Sequence, residues 1–578
     1  MTLNPILKPG VIQAARKCVQ HFGHFLADQK LGMFTGVSAA LGLTLCELLR
    51  PWPVKIVIDY ILIPVGDQSG YAIIRDLSPE HLLWCAASAM LLIPLFLGIF
   101  NSISQIALAQ VGRKVTTRVR CLVCEHLQLL PLSFHHDAKV GDLLVRMMGD
   151  VNMVRDILFS GWVSMVQRSL LFIATLCLLI WFSPTVGLLA LAPLPLLMWS
   201  IRRSGGRMKD AVSKQRRKEG SAAALASELL VQIRGIKAFG AERRSAKIFG
   251  GLSRSGERAG VKATRIAAGA SLQAEIATGA GLALVLFFGV GQVMDDAMSA
   301  GTLIMLLSYV RALHKPLRKL SRDGIRLAKA AACAERLFEV LELPAESSVG
   351  ESKAPRFSGK IEFADVTHTY GGRDPALEDF SLTIEAGTLC VLKGRNGAGK
   401  STTLSLLLRL YKPLKGEILI DGEAAEKFDL ESWRAQFAYV PQENLLFAGT
   451  LADNVLFGRP DASPEDLQAS IDSVGLAPLV QELPDGLDTE IGEAGNKLSG
   501  GQRRLVSLAR ASLRSASILL LDEPIEGLDA SARLYVAKAI REIAQGRTTI
   551  VVSHAGVDEI KPDLIAELRN GCLVEAPK

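Results

Sequence analysis

Gly394-Arg395-Asn396-Gly397-Ala398-Gly399-Lys400-Ser401 decides how the C-terminal part of this 578-residue chain folds. The stretch follows an apolar run, residues 388–393, and opens a helical pattern over residues 402–410. A glycine-rich turn from strand to helix lets backbone N–H groups wrap phosphates, and the helix N-terminus adds a favourable field. In that setting G-x-x-x-x-G-K-[ST] reads as a nucleotide-phosphate loop. Lys400 is placed to reach the outer phosphates and Ser401 to ligate Mg²⁺. Residues 394–401 and Thr402 form the expected ATP-binding core.

Downstream, Leu519-Leu520-Leu521-Asp522-Glu523 ends a buried strand in two carboxylates. Asp522 is expected to hold Mg²⁺, directly or through water. Glu523 is expected to polarise the attacking water as general base. Strand signals at 360–366, 388–393, 416–420, 437–440, 518–521 and 548–552 alternate with helical ones, which predicts an α/β nucleotide-binding domain. Between loop and carboxylates lies Leu498-Ser499-Gly500-Gly501-Gln502, which narrows the field further.

The N-terminal half has a different texture. Hydrophobic residues make up 49% of the chain, and the mean hydropathy is +0.28. Apolar runs at 31–49, 82–111, 161–182, 185–201, 267–293 and 302–310 carry much of that excess. About 20 helical residues cross a hydrocarbon core of about 30 Å, so six spans are expected. Loop 64–81 holds only Arg75 as a basic residue, turn 183–184 none, and turn 294–301 holds Asp295 and Asp296. The other connections are rich in base, from Arg113 to Arg155 and from Arg202 to Arg265. Positive residues stay on the cytoplasmic side, which places both termini there and accounts for the net charge of +7 without nucleic acid.

The long connections, such as residues 209–228, read as helices continuing into the cytoplasm. Residues 4–28 read as an amphipathic helix with Val11, Ala15, Val19, Phe22 and Leu26 on one face. Such a helix lies in the membrane interface or packs on the bundle. No cleavable signal peptide is expected. The nine cysteines form no disulfide framework. Cys121 and Cys124 are a lone C-x-x-C, and no second pair completes a metal ligand set.

These motifs in this order resemble the ATP-binding cassette (ABC) transporters. Residues 357–578 are similar to the family's nucleotide-binding domain. The resemblance implies that Tyr370 stacks on adenine, that Gln442 is the glutamine that senses Mg²⁺ and the membrane domain, and that His554 contacts the γ-phosphate. Gln442, Glu523 and His554 are then the catalytic set, and Ser401, Gln442 and Asp522 the metal set. It further implies that Ser499, Gly500, Gly501 and Gln502 of one copy, with Asp529, complete the ATP site of a second. Residues 31–340 resemble the membrane half of exporter-type (type IV) half-transporters. Residues 130–150 and 235–243 are similar to their coupling-helix regions, residues 341–356 read as a linker, and residues 1–30 as the N-terminal segment.

The expected fold is therefore a multidomain membrane protein. An all-α six-helix transmembrane domain precedes an α/β P-loop ATPase domain of ABC type. The resemblance implies an ATP-driven exporter or flippase, with ATP and Mg²⁺ as cofactors, in the inner membrane of a bacterium. Its partners are membrane lipid and a second chain, a copy of itself being favoured over a related half-transporter. The segment Ile525-Glu526-Gly527-Leu528-Asp529 departs from the family's Thr-Ser-Ala-Leu-Asp and keeps a heterodimer open. Uptake, of a siderophore for example, is the alternative direction. A cytosolic ABC ATPase acting on nucleic acid would lack six spans, and a mere nucleotide sensor would not need Glu523 and His554. Ionisable residues in apolar spans are substrate candidates by default, and Arg168, Glu275, Arg311 and Lys315 qualify.

Overall fold

The computed structural model describes residues 9–63, 78–138, 140–155, 161–346, 352–371, 374–554 and 557–575. The loop with Arg75, the first residues of the N-terminal segment and the middle of the linker lie outside them. The chain forms two compact units, one of residues 1–127 and 141–342, the other of 128–140 and 343–578.

The first unit is helical. Four of its described helices are long and apolar enough to cross a membrane: Lys30–Leu62, Pro79–Leu129, Val163–Phe182 and Glu242–Met294. A shorter apolar stretch, Ala300–Leu313, opens the helix Ala300–Leu341. The expected fourth span is not one helix. Pro184–Leu191 ends before Pro193, and Leu194–Val231 begins after it. Pro193 has no N–H to give to the preceding turn, and its ring crowds the carbonyl there.

Pairing of the first and last spans is specific. Asp59, 5% exposed, accepts from Gly301 N and Ser299 Oγ, both at 2.8 Å, and from Lys55 Nζ at 2.8 Å. Its carboxylate thus satisfies N-terminal donors of the Ala300–Leu341 helix, which a macrodipole also favours. Tyr309 donates to Leu48 O at 2.5 Å and accepts from Trp52 Nε1 at 3.0 Å.

The N-terminal helix spans Pro9–Ala27. It buries Ala14, Cys18 and Phe22, while Val19 is 53% exposed. The stripe therefore differs from the expected face by one position. Two of its three members are small, and their packing against Val111, Val115, Val119 and Phe338 decides the outcome. The helix packs on the bundle.

The second unit is an α/β domain. Its central sheet has the order β10-β9-β3-β8-β7-β6, with β3 (Leu389–Gly394), β6 (Phe437–Val440), β7 (Ile518–Asp522), β8 (Thr548–Val552) and β9 (Leu564–Arg569) parallel, and β10 (Cys572–Glu575) antiparallel at the edge. A second, antiparallel sheet holds β2 (Leu377–Ile384), β1 (Ile361–His368), β4 (Lys415–Ile420) and β5 (Glu423–Ala424) in that order. Side chains alternate across a strand, so the parallel sheet feeds two cores. Val391, Leu519, Leu521 and Val551 enter one; Leu392, Ile518, Leu520 and Val552 enter the other. Both faces being covered explains why these strands read as continuous apolar runs.

Candidate ATP site

Strand β3 ends in the phosphate loop, and the helix Lys400–Leu407 starts from it. Gly399 has φ +102°, and a Cβ there would lie 2.4 Å from the carbonyl oxygen of Ala376. No L side chain fits that turn without strain. Lys400, 5% exposed, donates to Gly394 O at 2.9 Å, to Arg395 O at 3.1 Å and to Nε2 of His554 at 2.8 Å. Burial lowers its pKa, and Glu523 and Asp522 oppose that shift. Arg395, Asn396 and Gly397 form the rim of the loop, and Ala398 is buried beneath it.

Ser401 Oγ donates to Asp522 Oδ1 at 3.2 Å. A hydroxyl at a helix start thus meets a carboxylate at a strand end. Burial holds the Asp522 carboxyl above its ordinary value, and the Ser401 hydrogen bond works against this. Hard oxygen donors in this arrangement fit Mg²⁺, whose charge would favour the ionised carboxylate.

Glu523 follows at φ +51°, outside the comfortable region for a residue with a side chain. Its amide donates to Val552 O at 2.9 Å. That turn brings its carboxylate against two residues that follow the ends of β6 and β8. Nε2 of Gln442 donates to Oε2, and Nε2 of His554 lies 3.4 Å from Oε1. The three predicted catalytic residues therefore meet at one point, beside Lys400.

Tyr370 packs edge-on against Tyr411, with ring centroids 5.0 Å apart, and its hydroxyl donates to Thr402 Oγ1 at 3.3 Å. It thus stands over the start of the phosphate-loop helix. Ser499 caps the helix Gly500–Leu513 in a reciprocal box. Gln502 N donates to Ser499 Oγ at 3.3 Å, and Ser499 N to Gln502 Oε1 at 2.8 Å. Asp529 caps Ala530–Ala544, accepting from Ala532 N at 2.8 Å. Among the described residues, no hydrogen bond or ion pair joins Ser499, Gly500, Gly501, Gln502 or Asp529 to the Lys400 cluster.

Two residues escape a reading of the sequence. Arg504, 5% exposed, donates to Pro441 O at 2.9 Å, Gln442 O at 3.1 Å and Glu523 O at 3.4 Å. It ties the backbone of both catalytic segments together. Glu526 offers a carboxylate oxygen in a group with Glu523 and His554 whose ligand atoms all lie within 4.8 Å. Its hydrogen bond with Glu523, followed by burial, raises its carboxyl to about 7. The unusual segment 525–529 is the only sequence signal for it.

Among the substrate candidates, Arg168 and Arg311 line one cavity in the membrane unit. Glu275 does not line it and is exposed on the helix Glu242–Met294. The Lys315 side chain lies outside the described residues.

Comparison with known proteins agrees with this architecture. Residues 36–317 match the family described as ABC transporter transmembrane region, and residues 377–526 the family described as ABC transporter. The chain is 30% identical over 478 residues to an ATP-dependent lipid A-core flippase of Legionella pneumophila (strain Paris), covering 83% of this chain and 81% of that one. It is 30% identical over 492 residues to a protein of the same description from Thiobacillus denitrificans, covering 84% and 85%. The solved structure of a bacterial Atm1-family ABC exporter with ATP bound superposes with a TM-score of 0.80 at 24% identity, covering 96% of this chain and 95% of that one. That last likeness concerns the fold.

The chain therefore belongs to the ABC transporter family, with a helical membrane region fused to an ATP-binding domain. It is an integral membrane protein that binds ATP and couples its hydrolysis to transport.

Proposed function

We propose that two copies of this chain form an exporter that uses MgATP to flip a lipidic amphiphile across a bacterial inner membrane. The meeting of Gln442, Glu523 and His554 beside Lys400 carries the reading. Lys400 and the loop amides of residues 394–401 bind the phosphates, and Tyr370 stacks on the base. Ser401, Asp522 and Gln442 would hold Mg²⁺, which would supply positive charge against the phosphates. Glu523 takes the proton of the attacking water, and His554 steadies the γ-phosphate.

The signature supports the dimer. A Cβ at Gly500 would meet no heavy atom within 4 Å, and the residue needs no positive φ. Among the described residues nothing requires glycine there, whereas the phosphates of an ATP held by a second copy would need that space. The domains are 1–30, 31–340, a linker at 341–356 and 357–578. Six spans keep both termini cytoplasmic. Closure of the paired ATP domains opens the spans outward, and hydrolysis resets them. The lipidic substrate rests on the relatives, which are described as lipid A-core flippases.

Complementation tests the head-to-tail dimer. Lys400→Ala and Ser499→Arg chains are each expected to lack ATP hydrolysis. Co-assembled, they contain one site built from an intact phosphate loop and an intact signature, so hydrolysis is expected to return. A mixture as inactive as its components would contradict the arrangement.

A further inference from the structure

Strand β7 ends at Asp522, and the chain turns sharply after it. Glu523 takes φ +51°, the ring of Pro524 fixes the next step, and the amide of Glu526 donates back to Glu523 O at 3.3 Å. Ile525, 2% exposed, anchors the turn in the core that holds Leu521 and Val551. The turn thus folds Glu526 over Glu523. The two carboxyl groups are hydrogen-bonded to each other, and an oxygen of each lies within 4.8 Å of a ring nitrogen of His554.

A carboxylate only accepts hydrogen bonds, so a contact between two carboxyl groups needs one proton between them. The bond with Glu523, followed by burial, raises the Glu526 carboxyl, which makes Glu526 the donor. The Glu523 carboxylate is then engaged on all sides. Gln442 donates to Oε2, His554 stands 3.4 Å from Oε1, and Glu526 adds a third neighbour. A general base must present a free lone pair to the proton that it takes. The arrangement therefore seats Glu523 and occupies it at once.

The rest of the loop faces outward. Glu526 and Gly527 are exposed, and so is Asp529, which caps the helix Ala530–Ala544. In the paired reading Asp529 belongs to the ATP site of the second copy. A partner that docks on Asp529 pulls on the segment that carries Glu526. The family's Thr-Ser-Ala-Leu-Asp places serine at the position of Glu526, and serine is too short for the contact.

We propose that Glu526 is a positioning residue that holds Glu523 idle in the unpaired ATP domain and releases it when the second copy docks, so that hydrolysis waits for pairing. The proposal rests on the dimer reading above and adds a control on its general base. Glu526 acts through Glu523 rather than on the nucleotide.

The test is single-turnover ATP hydrolysis by the full chain in proteoliposomes, with protein in excess over nucleotide. Glu526→Gln can donate the same hydrogen bond through its amide and is expected to hydrolyse as the wild type does. Glu526→Ser and Glu526→Asp fall short of Glu523 and are expected to hydrolyse about 2- to 10-fold faster, the worth of one ordinary hydrogen bond, with ATP affinity unchanged. Glu526 is exposed, so all three variants are expected to fold. Asp529→Ala impairs release, and adding Glu526→Ser to it is expected to speed hydrolysis by a larger factor than in the wild type.

Serine and aspartate variants that hydrolyse at the wild-type rate would overturn the proposal, and slower ones would make Glu526 an aid to the base. A glutamine variant as fast as the serine one would also overturn it, as would an equal gain from Glu526→Ser with and without Asp529. Hydrolysis absent from the wild type and from Glu526→Ser alike would count against release of the base as the control. The mixture of Lys400→Ala and Ser499→Arg chains reports on pairing by itself, so failure of the dimer and failure of the control are told apart.

Discussion

Nζ of Lys400 lies 2.8 Å from Nε2 of His554. A lysine ammonium only donates, so this nitrogen of the imidazole is the acceptor in this contact. The phosphate loop and the exit of strand β8 are thereby joined. A phosphate oxygen is expected to displace the imidazole, because it brings a full negative charge to the ammonium where the ring brings none.

The two partners differ in what their loss removes. Lys400→Ala deletes a charge-assisted contact of about 1.5–3 kcal/mol, so ATP affinity is expected to fall roughly 10- to 100-fold. His554→Ala is expected to leave affinity within a few fold and to lower turnover by about 10²–10³, as loss of one transition-state donor does. Fluorescent-nucleotide binding beside steady-state hydrolysis separates the cases. Equal losses in both measurements for His554→Ala would remove it from the hydrolytic step.

Glu526 gives a pH signature. Its carboxyl is raised from 4.5 to about 7, first by the hydrogen bond with Glu523. The folded chain therefore holds a proton there that the unfolded chain has released. Stability tied to this group is present below about pH 4.5 and is lost as pH rises towards about 7. Glu526→Gln is expected to flatten that slope. Thermal midpoints of both chains across pH 4.5–8 check it, and parallel curves would refute the shared proton.

Trp433 tests the ATP domain's core. It is fully buried, stacks on Phe428 with centroids 6.2 Å apart, and donates from Nε1 to Leu407 O at 2.9 Å. Trp433→Ala is expected to cost about 3–5 kcal/mol, read from denaturant unfolding of the full chain. A loss under about 1 kcal/mol would mean that the site collapses to fill the space.

Much of this is legible because the sequence concentrates it. Strands β6 and β8 fall where their apolar runs predict, and the phosphate loop sits between β3 and its helix as its spacing requires. Strand β2 escapes the pattern because Glu378 and Asp379 interrupt its apolar residues with charge. Span four looks continuous in sequence, since hydropathy does not register the N–H that Pro193 lacks. The face of the N-terminal helix reads one position off because Ala14 and Cys18 carry little hydrophobic signal, yet both are buried. Arg504 and Glu526 are invisible for another reason: their roles depend on the turn at Glu523, whose φ of +51° no local pattern announces.

The most direct test is flipping of a fluorescent phosphatidic acid in proteoliposomes holding only this chain, with Glu523→Gln beside it. Wild type is expected to move the lipid between leaflets on MgATP. The variant is expected to bind ATP while losing roughly 10²–10⁴ of its hydrolysis, and its flipping with it. Flipping that is the same without ATP, or unchanged in Glu523→Gln, would contradict an ATP-driven flippase with Glu523 as its base.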